Sequence, residues 1–122
     1  MDSDDRKALK RRYRETRPPM GVYIVRNLHN GKVFIGGSRN LTGKLNSIRF
    51  QLEHGSCVIR ELQEDFRTWG PSAFEFGVLD TLEPGPDPAG DCAGDLEVLE
   101  QMWLEKLRPY GDAGYNRKPR NR

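Results

Sequence analysis

The segment GVYIVRNLHNGKVFIGGS, Gly21 to Ser38, constrains the fold more than any other stretch of this chain. Val22, Ile24 and the aliphatic stem of Arg26 alternate with Tyr23, Val25 and Asn27, the period of two that gives a strand distinct faces. Val33 to Ile35 supplies a second short run. Between them stands Asn30-Gly31, two residues that tolerate positive φ, so the spacing predicts an antiparallel hairpin closed by a type I′ turn. Gly36 and Gly37 end the second run, at positions where backbone or ligand approaches closely. Ser38 or Asn40 then offers an N-cap for a following helix.

The rest of the chain punctuates itself. Residues 5–16 (DRKALKRRYRET) are helix-compatible but carry only Ala8, Leu9 and Tyr13 as apolar residues, too narrow a stripe to fold alone. Arg17-Pro18-Pro19 stops them. Leu41, Leu45, Ile48 and Leu52 recur at helical spacing and end at His54-Gly55. A second helix is predicted from Val58, Leu62, Phe66 and Trp69, opened by Ser56 and closed by Gly70-Pro71. Ala73 to Leu79 reads as a strand with Phe74, Phe76 and Val78 on one face, and Pro84 to Gly94 as a loop that cannot pack. Asp95 to Leu107 gives a third helix, Asp95 its cap, with Leu96, Leu99, Trp103 and Leu107 inward. The order β-β-α-α-β-α permits an α/β (α+β) layer arrangement, a small three-stranded antiparallel sheet flanked by helices.

A length of 122 residues fits one small domain. The expected organisation is a basic N-terminal arm, residues 1–19, a folded domain, 20–117, and a basic tail, 118–122. The net charge of +2 conceals a segregation: residues 1–17 carry seven basic and four acidic side chains, and residues 117–122 carry four basic and none acidic. The body between is acidic, so phosphate attraction belongs to the ends and to local patches. Cys57 and Cys92 lack metal-site spacing and read as free thiols. His29 and His54 read as surface residues. No apolar run is long enough for a membrane span and the N-terminus is charged, which leads to the expectation of a cytoplasmic protein with no membrane partner.

Gly21-Val22-Tyr23 followed by Phe34-Ile35-Gly36 resembles the GIY-YIG nuclease domain, named for two tripeptides on neighbouring strands. Glu100, in Leu99-Glu100-Gln101-Met102-Trp103, and the later Gly114-Tyr115-Asn116 match further elements of that family in the right order, so the resemblance spans roughly residues 19–117. It implies a phosphodiester bond of DNA cut by water with one divalent ion, magnesium or manganese, held by Glu100. It implies that Tyr23 helps to activate the water, that a helix cation neutralises the phosphate, and that Asn116 holds phosphate or water; an amide after a glycine turn equally caps local backbone. One carboxylate, waters and substrate phosphate make the oxygen set magnesium favours. Glu97 and Glu105 on the same helix read as solvated charges.

Two positions depart from the family pattern. Phe34 stands where the second tyrosine is expected and has no hydroxyl. Lys44 stands where the helix arginine is expected, counting from Gly36, and keeps the charge without the planar fork. A tyrosine with an ordinary pKa near 10 needs a cationic neighbour to act as a base, a part Lys44 is expected to play. Arg39 and Arg49 are further candidate phosphate contacts, although Arg49 lies about 140° round the helix from Lys44. Three readings follow: a metal-dependent endonuclease using Tyr23, Lys44 and Glu100, a nucleic-acid-binding module that has kept the fold with impaired chemistry, or a small interaction protein unrelated to nucleic acid. RNA remains an alternative substrate. With no recognition module in the chain, a partner protein is a candidate for aiming it, and the oligomeric state is open.

Overall fold

The computed structural model describes residues 19–82 and 93–117; residues 1–18 of the basic arm, the tail 118–122 and most of the predicted 84–94 loop lie outside them. Strands β1 (Met20–Asn27) and β2 (Val33–Ser38) pair antiparallel, with Tyr23 opposite Gly36 and Ile24 opposite Ile35. The predicted two-residue turn is replaced by a longer one. Gly31 alone takes positive φ, at +80°, and its N–H donates to the Asn27 carbonyl at 2.8 Å. Asn30 instead spends its side chain, its Oδ1 accepting from the Lys32 N–H at 2.9 Å. The Asn-Gly pair thus turns the chain by an Asx bond and one left-handed glycine.

Helix α1 (Leu41–His54) is capped by Asn40, whose side chain accepts from the Gly43 N–H at 2.9 Å. The Ser38 hydroxyl braces the cap, accepting from Asn40 N–H and donating to its carbonyl. Leu41, Ile48 and Leu52 are buried and Leu45 packs beside them, as their spacing predicts. Helix α2 (Arg60–Trp69) starts later than its apolar pattern implies. Val58 is left 87% exposed, and Ile59 packs on the core in its place. Trp69, also predicted inward, is exposed and stacks on His29. A 3₁₀ turn (Pro71–Ala73) leads into β3 (Phe74–Leu82), three residues longer at its end than predicted. Helix α3 (Ala93–Leu107) places Asp95 inside its first turn rather than at the cap. Leu104, not the exposed Leu107, completes its apolar side.

The sheet order is β2-β1-β3, all antiparallel, so the hairpin's first strand becomes the centre. Its alternation sorts two cores. Tyr23 and Val25 face α1 and α2, packing with Leu41, Ile48, Leu52, Leu62, Phe66 and Phe74. Val22 and Ile24 face the other way with Ile35, under Leu99, Trp103 and Leu104 of α3. Each such fully buried aliphatic side chain stabilises by about 1.5–3 kcal/mol. The register between β1 and β3 slips between Val22 and Tyr23, a bulge at which Asp80 rather than Leu79 faces Val22. Gly21, at φ +155°, is there because the β3 backbone runs against it: a Cβ would lie 2.7 Å from the Thr81 Cα.

The final described residues run along the outer edge of β2. Gly114 bridges Val33 in parallel, and the Tyr115 N–H donates to the Val33 carbonyl at 2.9 Å. Buried Asn27 donates to the Tyr115 hydroxyl at 3.1 Å, which in turn donates to Asp65 at 2.6 Å. This chain of bonds ties Tyr115, the hairpin and α2 together. Among the described residues no helix is long and apolar enough to cross a membrane.

Candidate active site

Tyr23 lies on the central strand with its ring laid across Gly36 of the edge strand. A Cβ on Gly36 would come within 2.6 Å of the ring, so only glycine lets the phenol lie flat there. The residue is 3% exposed. Burial, then the Glu100 carboxylate, then Cys57, push its pKa up to about 12. Lys44 is not among the groups that shift it, so the expected phenolate-favouring lysine is corrected: this phenol is held protonated. Burial of this kind cannot be read from a motif.

Glu100 approaches from the opposite layer. Helix α3 packs on the other face of the sheet, and its Glu100 Oε2 lies 3.5 Å from where a Gly37 Cβ would stand. Gly36 and Gly37 therefore bare both faces of the edge strand at one place, with the phenol over one and the carboxylate over the other. Among the described residues Glu100 makes no hydrogen bond and no ion pair, and no three His, Cys, Asp or Glu side chains gather as a metal cluster. A lone, half-buried carboxylate beside open strand edge suits an ion that keeps most of its waters and takes the rest of its ligands from a phosphate.

The remaining candidates divide. Phe34 is half-buried on the Tyr23 face, its ring 6.1 Å from the tyrosine ring and tilted by 50°, a packing partner with no proton to give. Lys44 is exposed on α1, and Arg39 is exposed just before that helix. Arg49 is held by a contact its sequence did not announce: its guanidinium lies 4.7 Å from the centre of the Phe76 ring. Phe76 pairs with Val25 on β3, and the next residue on that face, Val78, pairs with Tyr23 and is 48% exposed. Arg49 thus stands on the β3 side of the tyrosine. Asn116 is taken up by the fold. Its Oδ1 accepts from the Ile35 N–H at 2.9 Å and its Nδ2 donates to the Ile35 carbonyl at 2.8 Å, which clamps the edge strand one residue before Gly36. Of its two expected roles, these bonds are those of the backbone cap.

No protein-family model and no curated protein sequence matches this chain. Solved structures do. The catalytic domain of the homing endonuclease I-TevI superposes with a TM-score of 0.67 at 23% identity, covering 82% of this chain and 99% of that one. A glutamate-to-alanine variant of the intron endonuclease I-TevI catalytic domain gives 0.65 at 22% identity, covering 80% and 92%. The fold is that of the GIY-YIG catalytic domain.

Proposed function

We propose that this chain, whose GIY-YIG fold is the premise, hydrolyses phosphodiester bonds in DNA with the help of one divalent ion, magnesium or manganese. The observation that carries the reading is the convergence of Tyr23 and Glu100 on the two bare glycines of one strand edge. Glu100 is the residue that would hold the ion, which when bound supplies positive charge to the attacked phosphate and polarises water. The Tyr23 hydroxyl, its pKa pushed up by burial and by the Glu100 carboxylate, orients the attacking water by hydrogen bonding, and solvent at the open strand edge takes that water's proton and returns one to the leaving oxygen as the ester bond breaks. The exposed Lys44 and Arg39, on and just before α1, draw the phosphate backbone to this edge, and Arg49, steadied on Phe76, adds positive charge on the β3 side of Tyr23.

The second reading, a DNA-binding module with impaired chemistry, is favoured by one observation: Phe34, packed against Tyr23, lacks a hydroxyl. One substitution separates them. Glu100→Ala should abolish metal-dependent cleavage of a plasmid while leaving DNA affinity within about threefold; cleavage that survives it sinks the hydrolytic mechanism. Wild-type protein that binds DNA with steep salt dependence but cuts with neither ion establishes the binding module. A cytoplasmic location and a partner that aims the domain belong to the same proposal.

A further inference from the structure

The outer edge of β2 is covered in strict alternation, and the alternation stops one step short of the site. In an antiparallel ladder, successive residues point their N–H and C=O alternately into the partner strand and away from it. Lys32 points inward, its carbonyl accepting from Asn27 N–H. Val33 and Ile35 point outward, the first bonded to Tyr115 N–H and the second to both ends of the Asn116 amide. The register from Ser38 to Val33 is unbroken, so the next outward backbone pair belongs to Gly37. No side chain or backbone group among the described residues takes its N–H.

We propose that the Gly37 N–H is a phosphate-binding donor, giving a hydrogen bond to a non-bridging oxygen of the phosphodiester at the strand edge. The assignment deepens the hydrolytic reading and rests on it. The Tyr23 ring covers the neighbouring Gly36 on one face, and Glu100 stands against Gly37 on the other, so a phosphate hydrogen-bonded here lies between both groups. A backbone donor is fixed before substrate arrives and costs no side-chain ordering, which is what stabilising charge at a reacting centre requires. It also gives Asn116 a purpose that its amide chemistry alone does not: by closing the edge at Ile35, it leaves Gly37 as the one outward strand amide beside the bare glycines.

Gly37 offers an unusual control. A Cβ there meets Leu96 and Glu100 at 3.5 Å, ordinary contact, and its φ is not in the left-handed region, so alanine is accommodated with the N–H intact. Proline adds similar bulk and deletes the N–H, at an edge position where the sheet loses no ladder bond. Gly37→Pro should cleave DNA with kcat/KM at least tenfold below Gly37→Ala, and the Gly37 amide proton of the wild-type protein should move downfield in ¹⁵N-resolved NMR as a short oligonucleotide is added. Equal and measurable rates for the two variants, or an amide that stays still at saturating oligonucleotide, overturn the assignment. The amide measurement holds even where a variant fails to fold. A wild-type protein that shifts its Gly37 amide yet never cuts keeps the phosphate contact and rejects hydrolysis.

Discussion

At Tyr23 a single atom separates two kinds of tyrosine. Its pKa is pushed up to about 12 by burial, Glu100 and Cys57, above the value near 10 of an unfolded chain. The folded state therefore binds this proton more tightly, so the contribution to stability is complete below pH 10 and is lost as pH rises towards 12. It amounts to about 3 kcal/mol at most. Urea unfolding at pH 9 and pH 11.5 should show Tyr23→Phe losing about 2 kcal/mol less than wild type over that interval; parallel losses would contradict it. Tyr115, raised to about 12 mainly by burial and by its bond to Asp65, titrates in the same direction and is common to both proteins. Gly36 tests the same ring from below. Gly36→Ala has no backbone strain to overcome but drives a methyl group into the phenol, so cleavage should fall at least 100-fold while stability drops by only about 1–3 kcal/mol. An alanine variant that unfolds outright would mean that the ring has nowhere to go.

At the level of elements, the strands and helices were legible because their apolar periods are nearly uninterrupted, and the sheet followed from the Gly21–Ser38 hairpin. What escaped the sequence was settled by neighbours distant along the chain. Val58 fits the helical period but lies before the Ile59 cap, and Trp69 left the core for His29. The bulge that places Asp80 opposite Val22 has no local signature beyond Gly21. In the site, the motif located Tyr23 and Glu100 but not their placement on opposite faces, nor the Phe76 seat for Arg49, since each depends on packing between layers. Asn116 shows the difference most sharply, an amide with two plausible roles and one observed set of partners. Asn116→Ala should cost about 1–3 kcal/mol and expose the Ile35 amide to rapid hydrogen exchange, with DNA affinity changed less than threefold. A loss of affinity with Ile35 still protected would return Asn116 to the phosphate.

For the whole molecule, charge differs from helix to helix. Helix α1 carries Lys44 and Arg49 against Glu53, and its layer partner α2 carries Arg60 and Arg67 against Glu61, Glu64 and Asp65, whereas α3 carries Asp95, Glu97, Glu100 and Glu105 against Lys106. One side of the sheet is balanced, with its cations concentrated on α1, and the other is acidic; the sequence of the N-terminal arm adds further basic charge. Deleting residues 1–17 should reduce the slope of log affinity against log salt and weaken DNA binding, with the unfolding midpoint lowered by no more than a few degrees. A collapse of the thermal transition would show instead that the arm is part of the fold. The bare pair Gly36-Gly37 carries one more implication. Because a reactive centre at this edge would draw on both layers through a single thickness of peptide, its two halves cannot be altered apart: a change in α3 that moves the Glu100 carboxylate also changes how tightly Tyr23 holds its proton, so substitutions on opposite sides of the sheet should behave as coupled pairs in a double-mutant cycle.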